Sequence, residues 1–136
     1  MNSISVVIPV LNESETICAL LTHLENKASS QNYIHEIIVV DGGSSDDTVT
    51  QVTQYAALSK TVSIITSQKG RARQMNTGAI QATGNILYFL HADSYPPQNY
   101  DSLIVKEVSQ GNPAGCFKMK FDSNHWWLRL AGWLTK

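Results

Sequence analysis

Four short polar runs hold most of the chemistry available to this sequence. Asn12-Glu13, Asp41-Gly42-Gly43-Ser44 and His91-Ala92-Asp93 each follow an apolar run, and Ser67, Lys69, Gly70 and Arg71 follow a fourth. Glu13, Asp41 and Asp93 supply carboxylates, while Lys69, Arg71 and Arg73 supply cations. Carboxylate oxygens suit a divalent cation, and cations with backbone amides suit phosphate oxygens. Together they are what a diphosphate bridged by a divalent metal requires. Gly42 and Gly43 would let backbone approach such a ligand closely. There is no GxGxxG after the first apolar run and no GxxxxGK[ST], so neither a dinucleotide fingerprint nor a P-loop is supported.

The elements that must present these residues are legible from periodicity. Ser5–Val10, Ile37–Val40 and Ile86–Leu90 are short, nearly continuous apolar runs rich in strand formers, with Val62–Ile65 a weaker fourth. Such runs suit parallel strands covered on both faces. Helical stripes lie between them. The first is Ile17, Leu20, Leu21 and Leu24, with Asn12 as its N-cap and Glu15 following. The second is Val49, Val52 and Ala56, entered through Ser44–Asp47. Ala72, Met75, Ala79 and Ala82 form a third, ended by Gly84, and Tyr100, Leu103, Ile104 and Val108 a fourth. The order predicts an α/β fold with a wound, mostly parallel sheet flanked by helices. Phe117, Met119 and Phe121 alternate with lysines, which predicts a half-exposed edge or antiparallel strand. In an open α/β sheet, ligands bind outside the carboxyl ends of the strands. All four polar runs fall there, on one rim.

At this point the residues resemble a known family. Val6–Glu13 (VVIPVLNE), Ile38–Asp46 (IVVDGGSSD), Gly70–Ala79 (GRARQMNTGA) and Phe89–Ser94 (FLHADS) look like family 2 glycosyltransferases, which have the GT-A-type fold. The wording of the last two is similar to one bacterial subgroup, and the match runs from about Ile4 to Phe121. The resemblance implies that Pro9, Asn12, Glu13 and Asp41 hold the base and ribose of a nucleoside diphosphate sugar. It implies Arg71 near base and phosphates, and His91-Ala92-Asp93 in place of the family's metal-binding Asp-x-Asp. Asp93 would then bind Mg²⁺ or Mn²⁺. His91 departs from the commoner aspartate, and its imidazole would contact a ribose hydroxyl, a phosphate or a Mn²⁺. The implied reaction is inverting transfer of a sugar to an acceptor the sequence does not identify. Such transfer needs a general base within reach of the acceptor hydroxyl. The resemblance implies one in an acceptor-site half beyond Lys136. Within the chain Asp122 is a candidate by default, with Asp101 and Glu107 behind it.

Each assignment has a structural alternative. Asp93 has the lesser alternative of an acidic turn residue before Pro96, and Asp41 that of an Asx-turn or helix cap at Asp-Gly-Gly-Ser. Asn12 is explained as a helix cap, and Arg71 as a solvated first-turn residue. His23, His35 and His125 read as surface residues, and Met75 with its neighbouring alanines as core.

The bulk numbers restrict the partners. The 136 residues make one domain, residues 1–122, followed by an apolar segment, 123–136, leading toward the expected acceptor half. A net charge of −1 offers no general attraction to nucleic acid. Cys18 and Cys116 fit no zinc spacing and read as buried thiols, which suits the cytoplasm. No signal peptide or membrane span is expected, and the location predicted is cytoplasmic, extending to the inner face of the membrane. The stretch Trp126–Leu134 is apolar apart from Arg129 and Gly132. As a helix it would lie at a membrane surface or drive self-association; its alternative is packing onto its own sheet. The expected ligands are a nucleoside diphosphate sugar, UDP-sugar first, and a divalent metal. Two other readings stand beside the enzyme: a nucleotide-sugar-binding fragment without turnover, and a receiver-like acidic α/β domain. Asn12-Glu13 in place of paired acids argues against the last.

Overall fold

The computed structural model describes residues 2–120 and 127–135, with side-chain surroundings given as far as Gly115 and at Trp133. Its elements are β1 (Ile4–Val10), α1 (Ile17–Lys27), β2 (Ile34–Asp41), α2 (Thr48–Ala57), β3 (Val62–Thr66), α3 (Arg71–Gln81), β4 (Ile86–Leu90), α4 (Tyr100–Ser109), β5 (Ala114–Lys120) and β6 (Trp127–Thr135). They build one six-stranded sheet in the order β3-β2-β1-β4-β6-β5. The β1–β2, β2–β3 and β1–β4 pairs are parallel, and β6 runs antiparallel to both β4 and β5. The wound, mostly parallel α/β sheet expected from the sequence is thus observed, and β5 is the expected edge strand.

Burial follows the alternation of the strands. Ile4, Val6, Ile8 and Val10 of β1 face a core shared with Ile17, Leu20, Leu21 and Leu24 of α1, Val52 of α2, and Tyr100 and Ile104 of α4. The other face is smaller: Val7, Ile38, Val40 and Leu87 pack with Ala79 of α3 and with Ala82 at its C-cap. Near-continuous apolar strands are needed because both faces are covered.

Three expectations are corrected. Asn12 does not cap α1: the N-cap position is Thr16, and Asn12 has φ 54° with its side chain turned to another loop. The inward face of α3 is centred on Gln74 and Gly78, with Ala72 exposed and Met75 half-buried. A methyl at Gly78 would lie 2.4 Å from Val7 Cγ1, so the missing side chain sets how closely α3 sits on β1. Finally, Trp127–Thr135 is a strand inserted between β4 and β5 rather than a surface helix, and Trp133 is buried in the main core. Sheet hydrogen bonds on both edges satisfy this segment's backbone, which a lone interfacial helix would have to satisfy by itself.

Candidate functional site

The sheet's strand order reverses at β1. The chain steps from β1 outward to β2 and β3, then returns to place β4 on the other side of β1. Loops leaving β1 and β4 therefore diverge, and a crevice opens between their carboxyl ends. A cleft of about 260 Å³ lies there, lined by Pro9, Val10, Leu11 and Glu13 after β1, His91, Ala92 and Asp93 after β4, and Arg71 and Gln74 of α3.

Five of the eight sequence-assigned residues meet in this cleft: Pro9, Glu13, Arg71, His91 and Asp93. Asp93 and Arg71 are exposed, and His91 is half-buried. Burial, then the Arg71 guanidinium, holds the His91 imidazole below its ordinary pKa, against the opposing pull of Asp93. At neutral pH the ring is uncharged and keeps a nitrogen lone pair for a ligand. The cleft's charged side chains are two carboxylates, Glu13 and Asp93, to one guanidinium, Arg71. By themselves they do not match a diphosphate; with a divalent cation on Asp93 they do. Among the described residues no three His, Cys, Asp or Glu side chains converge as a cage. The donor set fits a hard cation that takes one or two protein carboxylate oxygens and draws the rest from phosphate and water.

The other three assigned residues fasten the loops beside the cleft. Asn12 Oδ1 accepts from the Ser45 and Asp46 amides at 2.8 and 3.3 Å, and the Asn12 amide donates to Ser44 Oγ at 2.8 Å. Ser44 Oγ in turn donates to Asp41 Oδ1. Asp41 is 3% exposed, and its Oδ2 accepts from the Gly43 and Ser44 amides at 2.9 and 3.0 Å. Gly43 is exposed at the crest of that loop. The Glu13 amide donates to Thr48 Oγ1 and the Ser14 amide to Asp46 Oδ2, completing a seam between the β1–α1 and β2–α2 loops. Hydrogen bonds from Thr48, weighing more than burial, lower the Asp46 carboxyl to about 2. Asp46 thus serves this seam as well as the start of α2, through the Thr48 amide and hydroxyl, while Ser44 serves the seam.

Gln74 is the lining residue the sequence reading overlooked. It follows Arg71 by three positions and precedes Gly78 by four, so 71, 74 and 78 share one helical face. A glutamine on the same face as a helix-interior glycine was the available signal. Gly42 also changes meaning: the space a Cβ would take is filled by the Gln74 amide, 2.7 Å away at Oε1, not held open for a ligand. Lys69 and Arg73 are exposed and do not line the cleft; Arg73 Nη1 donates to Gln68 Oε1 at 2.7 Å. His23 is not a free surface residue. Its Nε2 lies 2.6 Å from the Pro96 carbonyl and its ring meets Tyr95 edge-on, tying the loop after Asp93 to α1. Asp101, one candidate base, is fully buried and accepts from the Ser29 amide and hydroxyl and the Tyr33 amide. Asp122 and His125 lie outside the described residues.

Comparison with known proteins agrees with this geometry. The profile of Glycosyl transferase family 2 matches residues 5–134. Glycosyltransferase AglE of Haloferax volcanii is 37% identical over 111 residues, which are 78% of this chain and 35% of that protein. An undecaprenyl-phosphate 4-deoxy-4-formamido-L-arabinose transferase of Klebsiella pneumoniae is 30% identical over 114 residues, 82% of this chain and 35% of that protein. The chain thus spans about a third of the length of these relatives. Among solved structures, the mannosyltransferase PcManGT of Pyrobaculum calidifontis, in complex with GDP-Man and Mn²⁺, superposes with a TM-score of 0.81 at 21% identity. That match covers 98% of this chain and 44% of the other. S. aureus TarS 1-349 in complex with UDP-GlcNAc gives 0.73 at 21% identity, over 90% and 36%. These structural neighbours share the GT-A fold expected from the sequence.

Proposed function

The chain belongs to glycosyl transferase family 2, and on that premise we propose that it is the donor-binding part of an inverting enzyme that moves a sugar from a nucleoside diphosphate sugar to an acceptor. The observation that carries this reading is the convergence of Glu13, Arg71, His91 and Asp93 in one cleft at the switch point between β1 and β4. Pro9 and Glu13 hold the base and ribose. Asn12 and Asp41 shape that wall through the loops they fasten, and Gly43 offers backbone at its crest. Arg71 pairs with the diphosphate, and neutral His91 hydrogen-bonds a phosphate or ribose oxygen. Asp93 holds a divalent metal, Mg²⁺ or Mn²⁺, which when bound adds charge stabilisation to the leaving diphosphate. Relatives support the ligand class: one neighbour carries GDP-Man with Mn²⁺ and another UDP-GlcNAc. UDP-sugar is the first donor proposed.

No helix among the described residues is long and apolar enough to cross a membrane. Relatives named for undecaprenyl-phosphate support contact with the inner face of the membrane as part of the proposal. The test is calorimetric titration of UDP, GDP and their sugars with and without Mn²⁺. Metal-strengthened binding of one nucleotide is expected, and no heat with any of them on folded protein refutes the reading.

The burial of Asp101 favours a second reading, in which this chain binds donor without transferring it. With that carboxylate held by Ser29 and Tyr33, the cleft among the described residues holds no base other than those assigned to the donor. Sugar transfer by the 136-residue chain alone would exclude this second reading.

A further inference from the structure

Gln74 is a buried polar side chain inside the cleft wall, 4% exposed, and both of its amide donors are directed at other elements. Its Nε2 donates to the Val10 and Val40 carbonyls, both at 2.8 Å, so its two N–H groups reach the last residue of β1 and the penultimate residue of β2. Its Oε1 accepts from the Gly70 amide at 3.3 Å, at the N-cap of α3. One side chain thus ties β1 and α3, two of the elements that deliver the cleft's ligand groups, to β2, whose loop fastens the wall beside it. Glu13 and Pro9 lie at the end of β1, Arg71 opens α3, and the Asp41 loop leaves β2. The Val10 carbonyl accepts the Gly42 amide as well, at 3.0 Å, so the two glycine-proximal bonds share one acceptor. Gly42 is the matching half of this arrangement. A Cβ there would sit 2.7 Å from Gln74 Oε1, 2.8 Å from Cδ and 3.0 Å from Nε2.

We infer that Gln74 is a positioning residue of the donor site, with Gly42 as its obligatory neighbour, setting the spacing between the base-side wall at the end of β1 and the phosphate-side guanidinium of Arg71. The inference rests on the proposed nucleotide-sugar function. It assigns Gln74 no contact with the reacting atoms. A carboxamide is suited to the task because it offers two donors in a fixed plane to two carbonyls while remaining uncharged in a buried setting. A glutamate would turn an acceptor toward both carbonyls, and a methionine would fill the volume with neither donor.

The experiment is titration of UDP in the presence of Mn²⁺ into the parent chain and the variants Gln74→Met, Gln74→Ala, Gly42→Ala and Gly42→Ala/Gln74→Ala, each checked for a cooperative thermal transition above the assay temperature. Gln74→Met is expected to weaken binding at least about tenfold, the scale of a small misplacement of paired ligand groups. Gly42→Ala is expected to do the same by pushing the amide from its place. In the Gln74→Ala background the collision is gone, and adding Gly42→Ala should cost less than about twofold more, a non-additivity expected only of residues in contact. A purely structural role would lower the melting temperature and leave the affinity of the folded protein unchanged, and that result overturns the inference. So does a Gly42→Ala effect that is the same in both backgrounds. Should Gln74→Met fail to fold, the two Gly42→Ala comparisons decide alone. A parent chain that binds neither UDP nor GDP sinks the functional reading itself, whereas a parent that binds beside an equally tight Gln74→Met sinks only this inference.

Discussion

At the amino ends of the strands, Glu36 accepts from Ser5 Oγ at 2.6 Å and from the Thr83 amide at 2.7 Å, and Ser5 Oγ in turn accepts the Gly84 amide. In the turn before β2, Asp101 takes Ser29 and Tyr33. At the carboxyl ends, carboxylates of the same kind divide into two sets. Asp41 and Asp46 are engaged by amides and hydroxyls of the loops around them, as Glu36 and Asp101 are engaged by theirs. Glu13 and Asp93 instead line an open cleft beside Arg71. Residue type does not separate these groups. What separates them is how fully backbone amides and hydroxyls of neighbouring turns engage the carboxylate oxygens: Glu13 takes only the Thr16 hydroxyl, at 3.3 Å, and still lines the cleft. An engaged carboxylate holds structure, and one directed into a crevice is available to a ligand.

The largest expected effect sharpens that division. Asp101→Ala leaves two partly buried amides and a hydroxyl without their acceptor, so it should cost about 3 kcal/mol in chemical denaturation, the low end of ~1–3 kcal/mol for each group left unsatisfied. Nucleotide affinity of the protein that remains folded should be unchanged. If affinity falls in step with stability, the two sets of carboxylates are not separate.

Asp93→Ala should show the reverse. Loss of a charged contact is expected to weaken Mn²⁺-assisted UDP binding by about 1.5–3 kcal/mol, with the melting temperature held, because Asp93 is exposed and lies beyond β4. Equal affinity of variant and parent with Mn²⁺ present would remove Asp93 from the metal assignment. Arg71→Gln should have a smaller effect of the same kind, about 1 kcal/mol for an exposed cation facing a phosphate, and the loss should shrink at high salt. A salt-independent loss would mean that Arg71 acts through packing.

The smallest effect is one of pH. Burial raises the Glu36 carboxyl, but hydrogen bonds from Ser5 and Thr83 outweigh it and leave the group below its ordinary 4.5. A carboxylate lowered in the folded state contributes stability that is fully present above the ordinary value and is lost as pH falls through the lowered one. Denaturation midpoints should therefore decline on acidification below about pH 4.5, and Glu36→Gln should flatten that decline without moving nucleotide affinity at pH 7. An unchanged profile in Glu36→Gln would assign the acid sensitivity to other groups, Asp46 first.

Much of this molecule was determined by local sequence. The four apolar runs and the stripes between them fixed strand and helix order, because both faces of a parallel strand must be apolar while a helix needs only one apolar stripe. The polar runs after the strands marked the rim, and Pro9, Glu13, Arg71, His91 and Asp93 do meet there. Tertiary structure decided the rest. Asn12 and Asp41 look like ligand groups in sequence, yet their partners, Ser45 and Asp46 for the one and Gly43 and Ser44 for the other, are chosen by how two loops meet across 30 residues or by a turn too tight for periodicity to register. The inward face of α3 was misplaced by about one residue, because Gly78 and Gln74 carry little hydrophobic signal and become the packing face only when β1 and β2 lie beneath them. The apolar run ending at Leu134 was equally compatible with helix and strand. Its place between β4 and β5 depends on open hydrogen-bonding edges that exist only once the rest of the sheet has formed.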